Sequence, residues 1–168
     1  MKNSEIKELI LQSLEHERGS VRVYETAIES AIAQDLRAEW TRYLNETRRH
    51  VQVLEGVCRK FELDPEATSP GRQAVRDLGD SLVATMRQAR HAGDPVAAEN
   101  VACECVVLAE TKDFADWDAL DLIARLCNHF PPLTHELVHQ RRSERTRLAA
   151  LPYAAGLMSV GRGAPASI

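Results

Sequence analysis

The chain has 168 residues and carries 21 Lys plus Arg against 25 Asp plus Glu, a net charge of −4, with 44% apolar and 27% charged residues. This length and balance fit one globular domain with its own core. They give no electrostatic footprint for nucleic acid or an anionic membrane. Four cysteines, Cys58, Cys103, Cys105 and Cys127, are too few and too scattered for a disulfide framework and read as small buried hydrophobes. The N-terminal stretch has acids where a signal peptide needs a basic and then an apolar run, and no segment is apolar over the length of a membrane span. The expected location is therefore cytoplasmic.

From Ser4 to Ala33 there is no Pro, and Ile6, Ile10, Leu14, Val21, Tyr24, Ile28 and Ile32 recur at three- and four-residue steps, which predicts a first long helix. Its central series, Ile10, Glu17, Tyr24, Ala31, places Glu17 in the apolar stripe. Asp35 is the expected cap of a second helix running to about Phe61. The series Leu36, Tyr43, His50, Val57 and Trp40, Thr47, Leu54, Phe61 form its seam. His50 faces inward there, and Glu46 stands on the flank.

The turn-rich run from Leu63 to Gly71 stops this helix, and Val75, Leu78, Leu82, Met86 and Ala89 mark a connecting helix. Asp94 and Pro95 then open a third main helix by the cap and first-turn rule. That helix either runs to about Asn128 or breaks near Asp113 to Asp116. The cluster Asp113, Asp116, Asp118 beside Trp117 lacks the loop spacing and Gly of a calcium loop and reads as a capping or helix-end network. Pro131 and Pro132 break the chain, and Leu133 to about Leu151 is the expected last helix. The domain is thus an all-α four-helix bundle over residues 1–151, two hairpins joined by a connecting helix, with a flexible tail over 152–168.

A carboxylate in a core stripe needs a partner, a proton or a metal. Glu17 and His50 are such positions. The second half offers Glu104 and Glu110 in the third main helix, and Glu136 with His139, whose three-residue spacing puts both on one helix face. The bland alternative is a structural bridge between Glu17 and His50 or an Arg.

Glu17 with Tyr24 seven residues on, the stretch Leu44-Asn-Glu-Thr-Arg-Arg-His-Val-Gln-Val-Leu54, and Glu136-Leu-Val-His139 together resemble the ferritin-like superfamily of rubrerythrin-type bundles and small bacterial stress-linked relatives. The resemblance implies a di-iron or di-manganese centre with Glu17, Glu46, His50, Glu104 or Glu110, Glu136 and His139 as ligands and Tyr24 beside them. It also implies a role in oxidative-stress protection or metal handling, chemistry of the oxidase or peroxidase type, and a homodimer. One departure stands out: the residue three before His50, where the pattern has Glu, is Thr47. The alternative that this favours is a metal-free bundle serving as an interaction or dimerisation module.

His135-Glu-Leu-Val-His139 also fits the zincin pattern, with Glu136 as general base, but no His follows His139, Arg142 and Arg145 stand where a longer motif needs Gly and His, and no acid follows Glu144, so zinc stands behind iron and manganese. Arg141, Arg142, Arg145 and Arg147 make a basic run best read as a solvated face.

Overall fold

The computed structural model describes residues 3–126. Glu136 and His139, the expected last helix and the expected tail lie outside them. Among the described residues the chain forms four α-helices and no strand: α1 (Asn3–Ser30), α2 (Gln34–Lys60), α3 (Pro70–His91) and α4 (Pro95–Leu126). None of them is long and apolar enough to cross a membrane.

The helix starts follow local chemistry. Ser69 accepts from Arg72 N at 3.0 Å ahead of Pro70, and Asp94 accepts from Val96 N and Ala97 N at 2.9 and 3.2 Å ahead of Pro95. The start of α2 differs from the sequence expectation. Its cap residue is Ala33, which has no side-chain cap, and not Asp35. The N–H groups of Ile32 and Ala33 in the α1–α2 turn donate instead to Glu99 Oε2, at 2.6 and 2.9 Å. A fully buried carboxylate of α4 thus fixes the turn between α1 and α2.

α1 packs against all three other helices, and α3 packs also against α4. The polar contacts set the directions. Arg18 meets Glu55 and Arg48 meets Glu25, so α2 runs antiparallel to α1. Glu15 meets Arg72 and Arg76, Arg22 meets Asp80, and Glu29 meets Arg90, so α3 runs parallel to it. Tyr24 meets Glu110 and Glu17 meets Trp117, so α4 is antiparallel again. The segment expected to be a connecting helix is therefore α3, which carries the chain back along α1 so that α4 can start beside the α1–α2 turn. α1 and α3 approach closely at Gly19 and Gly79, where a Cβ on Gly79 would lie 3.4 Å from Gly19 Cα.

The apolar residues fall into two clusters. One gathers Tyr24, Ala27, Trp40, Tyr43, Met86 and Val106 towards the α1–α2 turn. The other gathers Ile10, Leu14, Leu54, Val57, Trp117 and Leu120 towards the opposite end. On α1 the gap between them holds Glu17, on α2 Thr47 and His50, and on α4 Asp113, all of them buried. These four polar residues thus share one level of the bundle, between the two apolar clusters.

Candidate metal centre

Glu17 and His50 reach this level because each occupies a heptad-spaced position of its helix's inward stripe. On α2 the buried residues Trp40, Tyr43, Thr47, His50, Leu54 and Val57 alternate by three and four, which turns Thr47 and His50 to the same side. On α4 the series Val106, Asp113, Leu120 is buried throughout. α4 runs unbroken through Asp113 and Asp116, so these residues are neither a cap nor a helix end. Mid-helix burial is what brings Asp113 into the core.

The outcome is one compact group. Glu17, His50 and Asp113 each present a ligand atom within 4.8 Å of the other two, and each is at most 2% exposed. His50 Nδ1 lies 3.0 Å from Glu17 Oε1. Trp117 Nε1–H donates to the same oxygen at 2.8 Å. The Trp117 ring meets the His50 ring edge-on, with centroids 5.2 Å apart. The indole therefore packs against one member of the group and holds the carboxylate of another.

The other expected ligands lie elsewhere. Glu46, one position off the stripe, is half-buried on its flank, where it accepts from Arg42 Nη1 at 3.1 Å. Glu104 is exposed and lines a groove between α3 and α4 with Leu82, Thr85 and Val101. Nine residues separate it from Asp113, which puts it on the opposite side of α4. Glu110 is buried one turn from Asp113, and its Oε1 accepts the Tyr24 hydroxyl at 2.5 Å. Tyr24 in turn packs on Tyr43, with ring centroids 6.0 Å apart. Tyr24 and Glu110 so form a second polar pair towards the α1–α2 turn from Glu17.

The donor set of one imidazole and two carboxylates suits a hard or borderline divalent ion such as manganese or iron(II). The thiols are not part of it. Burial pushes Cys58 and Cys105 up from the usual thiol range, which keeps both protonated at neutral pH. Two hydroxyls on the ligand-bearing stripes, Ser13 Oγ one turn before Glu17 and Thr47 Oγ1 one turn before His50, are buried with no hydrogen-bond partner among the described residues. Buried polar atoms of that kind are uncommon and mark places where water or an ion completes a network.

No protein-family model, curated protein or solved structure matches the chain. Its function must be argued from its own residues.

Two site residues, Asp113 and Trp117, were missed from the sequence. The signal was present in the seven-residue series through Val106 and Leu120, but it becomes readable only once α4 is continuous. Nearby, Asp116 is buried and pairs with Lys112 one turn before it on α4, and burial pushes its carboxyl above the usual range. His16 on α1 is buried too, and its Nε2 lies 3.0 Å from Ala109 O.

Proposed function

We propose that this protein is a metal-binding helical bundle of ferritin-like arrangement, in which one divalent ion of the manganese or iron class is held by Glu17 from α1, His50 from α2 and Asp113 from α4. The observation that carries this reading is the convergence of three buried ligand atoms from three helices within 4.8 Å. Two carboxylates buried beside an imidazole cost several kcal/mol unless a positive charge joins them, on the order of the penalty per buried ion. A dication would neutralise the pair. The paired di-iron or di-manganese centre that the family resemblance implies would draw further ligands from Glu136 and His139, so the one-ion form is the reading proposed.

Such an ion, when bound, supplies Lewis acidity and access to one-electron chemistry. The protein's own groups do the positioning. Trp117 Nε1–H fixes the Glu17 carboxylate, and its ring edge restrains His50, so two ligands are oriented by one indole. The two apolar clusters above and below exclude bulk water from this level. Tyr24 donates a hydrogen bond to Glu110, one helical turn from Asp113.

The test is titration of chelator-stripped protein with Mn2+ or Fe2+ under reducing conditions, followed by Trp117 fluorescence in a Trp40→Phe background. Saturable quenching at one equivalent, lost in Asp113→Asn and His50→Gln, is the expected result. The second reading, a metal-free bundle, is favoured by one observation: Glu17 Oε1 already receives Trp117 Nε1–H and lies against His50 Nδ1. That reading predicts no quenching at any concentration of either ion.

A further inference from the structure

Resting on the one-ion reading above, we infer that the centre also binds a water-sized, neutral oxygen ligand, held by a hydrogen bond to Thr47 Oγ1. Three protein donors leave a manganese- or iron-class ion short of the six ligands it favours, so at least one further position is filled from outside the protein. Thr47 is the neighbour of His50 on the same buried stripe of α2, and it is fully buried. Its hydroxyl has no partner among the described residues, although a threonine hydroxyl can both donate and accept. A small ligand at the ion supplies that partner.

Charge and size narrow its class. Glu17 and Asp113 together neutralise a dication and His50 binds as a neutral imidazole, so an anion would leave uncompensated charge in the core, whereas a neutral oxygen donor leaves none. Glu17, Thr47, His50 and Asp113 are each at most 2% exposed, which leaves no opening for an organic molecule. Water meets both conditions, and a peroxide-sized molecule is the largest that does. Ser13 is a weaker candidate for the same role, because it lies one turn from Glu17 on the side away from Thr47.

The experiment uses the full chain loaded with Mn2+ and compares its electron paramagnetic resonance lines in ordinary and 17O-enriched water. Wild type and Thr47→Ser should show 17O broadening, which reports directly coordinated water. Thr47→Val, which keeps the volume and removes the hydroxyl, should bind Mn2+ about tenfold more weakly, the lower end of what a lost outer partner costs a metal site. Thr47→Glu places a carboxylate at the same position and should bind Mn2+ with weaker 17O broadening than wild type, one coordinated water being displaced. Thermal unfolding of the metal-free variants separates misfolding from a lost ligand: metal-free Thr47→Val should melt no lower than wild type. Mn2+ bound without 17O broadening in wild type, or equal affinity and broadening in Thr47→Val, overturns this inference alone. Failure of wild type to bind Mn2+ at all overturns it together with the one-ion reading.

Discussion

His16 gives the sharpest prediction about stability. Its ring is buried between α1 and α4 against Ala109 O, with Ser20 Oγ 3.4 Å from Nε2. Burial, with Lys112 adding repulsion, lowers its pKa from 6.5 to about 3. The folded protein therefore holds His16 neutral while the unfolded chain protonates it near 6.5. Stability from this residue is fully present above that value and is lost progressively as the pH falls towards 3. Linkage puts the loss at about 2 kcal/mol at pH 5 and about 3 kcal/mol at pH 4. The assay is urea unfolding of chelator-treated protein from pH 7.5 to pH 4, for wild type and for His16→Gln, which keeps a donor for Ala109 O without the titration. The two stability curves should diverge below pH 6.5 by those amounts. Parallel curves would show that His16 is not held neutral by burial and would refute the reasoning.

Three further outcomes follow from the packing. Glu99→Ala removes the acceptor of Ile32 N and Ala33 N and should cost about 2–4 kcal/mol in urea unfolding, from two bonds to a charged group. Glu15 is buried between Arg72 and Arg76, whose hydrogen bonds hold its carboxyl below the usual range. Its contribution is thus present above the ordinary glutamate pKa and lost as the pH falls through the lowered value. Glu15→Gln should cost about 3–5 kcal/mol at pH 7, because Arg72 is left buried without its charge partner, and the difference from wild type should shrink in acid. At the α1–α3 crossing, Gly79→Ala places its Cβ 3.4 Å from Gly19 Cα and should shift stability by less than about 1 kcal/mol, helix propensity offsetting the contact, whereas Gly79→Leu should lower it by about 1–3 kcal/mol. Equal melting temperatures for Gly79→Ala and Gly79→Leu would show that the crossing is not close-packed.

Much of this architecture is legible in the sequence because the helices announce themselves by period. The stripes through Ile10 and Leu14, and through Trp40, Tyr43 and Leu54, predict α1 and α2 to within a few residues. Gly93, Asp94 and Pro95 mark the start of α4 by local chemistry alone. Glu17 and His50 could be placed inward because each interrupts an otherwise apolar seven-residue series. A Glu17–His50 contact was among the alternatives read from the sequence, but most of what depends on which helix lies opposite was not. Asp35 looked like the cap of α2, but the α1–α2 turn is held by Glu99, 66 residues further on, and no local pattern encodes a tertiary cap. Asp113 and Asp116 looked like a helix end because acids crowd both caps and centres. The continuous α4 buries both, and they part by partner: Asp113 joins Glu17 and His50, whereas Asp116 pairs with Lys112. Glu104 was attractive as a residue type, but nine positions at about 100° each turn it to the side of α4 opposite Asp113, and Glu46, on the flank of the α2 stripe, is engaged by Arg42.

The central claim is that Glu17, His50 and Asp113 form a site for one metal ion. Its most direct test is elemental analysis of the full chain purified without chelator and loaded under reducing conditions with manganese or iron(II), after removal of unbound ion. Wild type should retain about one ion per chain, the stoichiometry the three-ligand group allows, and Glu17→Ala and His50→Ala should retain none above background. Background metal in wild type, or equal retention by all three proteins, would contradict it.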